Sequence, residues 1–99
     1  MKVLNFGSLN VDYVYSVEHI VQGGETISSS KMEVFSGGKG LNQSIALAKA
    51  GAPVYHAGQI GEDGDILLDT CKENGVDVTY VRKLDAKGGH TIIQVDANG

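Results

Sequence analysis

Apolar residues along the chain recur in two spacings, separated by glycine-marked breaks. Residues 2–6 read as a buried strand closed by Gly7 and Ser8. Over residues 11–18 apolar positions alternate with polar ones, the period of a half-exposed strand. Val11, Tyr13, Tyr15 and Val17 share one face, and Asn10, Asp12, Val14 and Ser16 share the other. After a loop through Gly23 and Gly24, an extended stretch over roughly residues 26–35 is expected to pair antiparallel with it. Leu41, Ile45 and Ala48 follow helical spacing, which predicts a helix over residues 41–50 with its stop at Gly51. Its alanines suit close packing on a sheet. A strand over 54–60, a second helix through Leu67, Leu68 and Cys71 to Gly75, and strands over 76–83 and 91–95 complete the pattern. This order predicts an α/β fold: a parallel sheet with crossover helices and a small antiparallel flap.

The last four residues, Asp96-Ala97-Asn98-Gly99, follow a strand with a strong hairpin signal but no returning strand. The expectation is that the chain is the front of a longer protein, cut inside a hairpin. Ninety-nine residues suffice for one small domain or part of a larger one. No apolar run reaches the roughly eighteen residues of a membrane span, which argues against a membrane protein. Eight basic against twelve acidic residues give a net charge of -4, without the basic surplus that phosphate-backbone binding needs, so nucleic acid is not an expected partner. Met1 and Lys2 lead straight into a strand with no cleavage site behind them, and Cys71 has no second cysteine to pair with. Both features fit a cytoplasmic location. Glycine is abundant, at 14 residues against one proline, and is expected where a backbone turns sharply or approaches a ligand.

The densest glycine segment, Ser36-Gly37-Gly38-Lys39-Gly40-Leu41-Asn42, sets bare backbone, an ammonium and an amide at the start of a helix. Free N–H groups there favour a polar or anionic ligand. It is not a Walker A loop, which would need glycine at Glu33 and Ser or Thr at Gly40. A dinucleotide fingerprint starting at Gly38 finds Gln43 where its third glycine belongs. Asn10 and Asp12 form a second candidate, because an amide and a carboxylate on one strand face can bond neighbouring hydroxyls of a polyol. Set against the glycine loop at the ends of adjacent parallel strands, the pair would form a pocket. His19, His56 and His90 lack metal-site spacing, so no metal ligands are assigned. Glu62, Asp63 and Asp65 are expected to complement or cap the following helix.

Gly7-Ser8-Leu9-Asn10-Val11-Asp12 and Gly37-Gly38-Lys39-Gly40-Leu41-Asn42-Gln43-Ser44, followed by Gly51 and Gly61, resemble the amino-terminal third of the ribokinase family of phosphofructokinase-B-type carbohydrate kinases. The resemblance spans nearly the whole chain. It implies the front of a ribokinase-like kinase domain whose Rossmann-type core is interrupted by a β lid over about residues 11–35 and 91–99. It also implies transfer of the γ-phosphoryl group of ATP to a hydroxyl of a sugar or nucleoside, with Mg2+ and with a monovalent cation as a further candidate activator. Asn10, Asp12, Gly38, Lys39 and Asn42 match positions that bind the sugar hydroxyls. Lids in this family often pair between subunits, which implies a homodimer through the lid or by strand exchange. The family's catalytic aspartate, in a Gly-Ala-Gly-Asp-like segment, has no counterpart here, so no catalytic residue is assigned and the chain alone is expected to be inactive. The alternative is a stand-alone polyol-binding or β-lid dimerisation module without catalysis.

Overall fold

The computed structural model describes every residue, Met1–Gly99. Two three-stranded sheets share two helices. The first sheet holds β1 (Val3–Phe6), β4 (Val54–Ile60) and β5 (Asp77–Lys83) in the order β1-β4-β5, all parallel. The second holds β2 (Asn10–Ser16), β3 (Lys31–Gly37) and β6 (His90–Val95) in the order β3-β2-β6. Helix α1 (Lys39–Lys49) makes the crossover into β4, and α2 (Asp65–Glu73) the crossover from β4 to β5.

β2 and β3 pair antiparallel as the pattern predicts, with Asn10 opposite Gly37 and Asp12 opposite Phe35. β6 then joins the other edge of β2 in parallel, Asp12 beside Thr91, so the flap is a mixed sheet rather than a wholly antiparallel one. Residues 26–30 are not strand. Ser28, Ser29 and Ser30 bring no apolar face to bury, and the loop is held by Glu25, which accepts from His19 Nε2 and the Gln22 N–H. These donors lower the Glu25 carboxyl pKa, with the Gln22 N–H the larger cause. At the other end, the Gly99 N–H closes a turn onto the Asp96 carbonyl at 3.1 Å.

Leu9, Val11, Leu41, Val54, Ile60, Leu67, Cys71 and Val76 form one buried cluster between the parallel sheet, both helices and the root of β2. Burial raises the Cys71 thiol pKa. On the face of the parallel sheet turned away from the helices, Leu4, Phe6 and Tyr80 remain 64%, 82% and 61% exposed. Parallel sheets are normally covered on both faces. The Cα radius of gyration is 15.8 Å, against about 13 Å for a compact domain of this length. The difference reflects an elongated shape, with principal extents of 52 × 31 × 19 Å. No helix is long and apolar enough to cross a membrane.

Candidate functional site

The chain passes from the parallel sheet to the mixed sheet at Gly7-Ser8-Leu9 and leaves it at Gly37-Gly38. These two crossings lie directly against each other. The Leu41 N–H donates to the Ser8 carbonyl at 3.0 Å, and the Gly40 N–H donates to Ser8 Oγ at 3.3 Å. Gly38 is the residue ahead of α1, with φ 104°, a conformation that glycine adopts without strain. A Cβ there would stand 2.7 Å from the Ser8 carbonyl oxygen and 3.2 Å from the Asn10 nitrogen. Ser8 thus does the capping work that the side chain of a conventional N-cap residue would do.

This packing corrects part of the sequence reading. The N–H groups of Gly40, Leu41 and Asn42 are taken by Ser8 and by the Gly38 carbonyl, which leaves those of Gly38 and Lys39 as donors. The helix also begins at Lys39 rather than Leu41, because the Ser8 contacts support its first turn.

The five sequence-predicted residues occupy neighbouring positions. Asn10 and Asp12 project from the same face of β2. The Asp12 carboxylate lies over Gly37, where a Cβ would overlap it, and accepts from Thr91 Oγ1 at 2.6 Å. Asn10 Oδ1 lies against Gly89, and its backbone abuts Gly38. Lys39 follows directly, and Asn42 lies three residues on, near one turn of α1. The side chains of Asn10, Lys39 and Asn42 make no hydrogen bond within the chain. A groove of about 590 Å³ opens beside Asn10, between Gly7-Ser8, Gly58-Gln59, Arg82 and Gly89. It lies at the carboxyl ends of the parallel strands, where α/β sheets place ligands. Of the five residues only Asn10 lines it; Asp12 lies two residues further along β2, and Gly38 and Lys39 stand at the start of α1.

Asp65 does stand in the first turn of α2, whereas Asp63 caps no helix and instead ties the turn before α2 to β2 and to the connection ahead of β6. It accepts from the Gly88 N–H at 3.0 Å and from the Tyr13 hydroxyl at 3.1 Å, while α2 has no side-chain cap. Lys87 Nζ stands 5.4 Å from the centre of the Tyr13 ring. The Gly88 N–H is the main cause lowering the Asp63 carboxyl pKa. The folded chain therefore binds fewer protons at this group than the unfolded one. Its contribution to stability is complete above the unfolded pKa of about 4 and is lost as pH falls through the lowered value. An acid titration followed by circular dichroism should show a shallower loss of stability below about pH 4 for Asp63→Asn than for the wild type. Parallel curves would remove Asp63 from the acid response.

Comparison with known proteins decides the family. The model of the pfkB family carbohydrate kinases matches residues 1–99. The chain belongs to this family. Among pfkB relatives, ribokinase of Staphylococcus aureus (strain COL) is 40% identical over 102 residues, covering 99% of this chain and 34% of the relative. Arabidopsis thaliana ribokinase is 34% identical over 98 residues, covering 94% and 26%. Among solved structures, ribokinase from Cryptococcus neoformans var. grubii serotype A in complex with ADP superposes with a TM-score of 0.91 at 38% identity, covering 99% of this chain and 31% of that one. Arabidopsis thaliana ribokinase complexed with ribose and ATP gives 0.87 at 32% identity, covering 99% and 33%. The chain thus has the fold of the front of a ribokinase-like domain and spans about a third of the length of these relatives.

Proposed function

We propose that this chain is the acceptor-binding front of an ATP-dependent sugar kinase, with D-ribose or a closely related pentose as the acceptor. The observation that carries the reading is the placement of the Asp12 carboxylate over Gly37, beside Asn10 and the Gly38-Lys39 turn. Thr91 occupies one carboxylate oxygen, and the remaining acceptor capacity is free for sugar hydroxyls. Asn10 and Asn42 can donate or accept, while Lys39 and the N–H groups of Gly38 and Lys39 supply donors. A constellation that meets several adjacent hydroxyls at once holds one of them in a fixed orientation, which is the positioning that phosphoryl transfer requires. A ribokinase of known structure carries ribose and ATP, which supports both the acceptor class and the donor.

No three His, Cys, Asp or Glu side chains of this chain stand close enough together to hold a metal ion. The same reading assigns Mg2+, the ATP groove, any monovalent-cation site and the catalytic base to the two thirds of the relatives' length that this chain does not span. The isolated chain is expected to show no ATP turnover with D-ribose. Turnover above background in a kinase-free preparation would refute that division of labour. The full gene product should form ADP only when D-ribose is supplied, and a coupled assay tests this directly.

The same reading places the protein in the cytoplasm and gives the lid a dimer interface, formed face to face or by strand exchange. Ile92 is 69% exposed, and Met32, Val34, Phe35 and Ile93 are also exposed on this sheet. Its outer strands β3 and β6 leave unpaired edges. Light scattering on the full gene product is expected to give a dimer; a stable monomer would contradict the interface.

A further inference from the structure

His56 and Ser44 are the only polar side chains in the buried set, both at 0% exposure, and they lie in one directed chain of hydrogen bonds. Its polarity follows from a single constraint. His56 Nε2 lies 3.0 Å from the Gly7 carbonyl, which can only accept, so the Nε2 nitrogen carries the proton. In the neutral imidazole Nδ1 then holds the lone pair and accepts from the Ser44 hydroxyl at 2.6 Å. Ser44 Oγ in turn accepts from Asn5 Nδ2 at 2.9 Å, and Asn5 Nδ2 also donates to the Gly40 carbonyl at 2.9 Å. Donation therefore runs from Asn5 through Ser44 and His56 to the Gly7 carbonyl, with a second bond from Asn5 to the Gly40 carbonyl, and no buried polar side-chain atom is left without a partner.

Both ends grip the backbone where the two crossings meet. Gly7 precedes Ser8, which holds the first turn of α1, and leads within three residues to Asn10. Gly40 follows Lys39 directly. A Cβ on Gly40 would stand 2.5 Å from both Gly7 C and Ser8 N, so the two backbones have no slack between them. We propose that His56, with Ser44 and Asn5, is a positioning residue for the acceptor sugar: it locks the Gly7 and Gly40 carbonyls and thereby sets the spacing between Asn10 and the Gly38-Lys39 donors. It touches no substrate. The inference rests on the reading of those residues as the sugar site. An uncharged apolar residue would satisfy the core at position 56 more simply, whereas a neutral imidazole with one donor and one acceptor completes a relay.

The test uses the full gene product with D-ribose as the probe. His56→Phe keeps the ring and removes both bonds, and is expected to weaken D-ribose affinity about tenfold by titration calorimetry. The Michaelis constant for ribose should rise in step, and that for ATP should stay within about twofold. Ser44→Ala interrupts the same chain with a smaller change, keeps the proposal testable if His56→Phe does not fold, and should shift ribose affinity in the same direction. The double variant should be no weaker than His56→Phe alone. His56→Gln, whose amide N–H can still reach the Gly7 carbonyl, should recover most of the lost affinity. A residue that served stability alone would lower the melting temperature without moving the ribose affinity of the folded protein. Folded His56→Phe and Ser44→Ala variants that bind ribose as the wild type does, where Asp12→Ala does not, would overturn the proposal. If Asp12→Ala also binds as the wild type does, the sugar-site reading itself fails and the proposal falls with it.

Discussion

Asp12→Ala in the full gene product is expected to weaken D-ribose binding by roughly a hundredfold while leaving the Michaelis constant for ATP within about twofold. A hydrogen bond to an ionised group contributes about 1.5–3 kcal/mol, and a carboxylate that receives two sugar hydroxyls loses both when truncated. The effect on folding should be much smaller. Within the chain Asp12 accepts only from the exposed Thr91 hydroxyl, whose loss leaves a group that water can satisfy. Asp12→Asn should fall between the two, because its amide keeps one acceptor. Equal losses for ribose and ATP would show that Asp12 supports the whole protein rather than the acceptor.

The largest effect on stability is expected at Gly40. The methyl of alanine would enter the space held by Gly7 C, Ser8 N and Gly7 Cα, all backbone atoms that cannot swing aside as a side chain can. Gly40→Ala should therefore lower the unfolding free energy by about 3 kcal/mol or more, a large share of the typical total of about 5–15 kcal/mol for a domain. Gly23→Ala is the control. Nothing stands within 4 Å of its added Cβ, so its cost should stay within about 0.5 kcal/mol. Thermal or denaturant unfolding of the two variants checks the pair. Similar midpoints would mean that the crossings can separate and that the close approach of Gly7 and Gly40 is not required.

Most of the fold was legible in the spacing of apolar residues, because each element answers to a local rule. The strand over Val54–Ile60 shows its inward face as Val54, His56, Gly58 and Ile60, and both helices stop at glycine-marked turns. The burial of His56 and its bonds to Ser44 and the Gly7 carbonyl were not legible, since those partners lie 12 and 49 residues away in sequence. What the pattern could not supply was pairing set at long range. That β6 joins β2 in parallel depends on the path of the 84–89 connection, and only this register brings Thr91 to Asp12. Asp63 resembled a capping residue because acidic residues before a helix usually are, yet a tighter partner was available in the Gly88 N–H. For the candidate site, the residue types were readable and their neighbourhood was an expectation. Gly37 and Gly38 make it physically possible: only residues without side chains let the Asp12 carboxylate and the Asn10 backbone come so near the start of α1.

A crystal structure of the full gene product grown with D-ribose tests the central claim most directly. Sugar hydroxyls are expected within about 3 Å of the Asp12 carboxylate and of the Gly38 or Lys39 N–H, with Asn10 bonded to the same ring. Ribose bound away from both Asp12 and the Gly38-Lys39 turn would contradict the account.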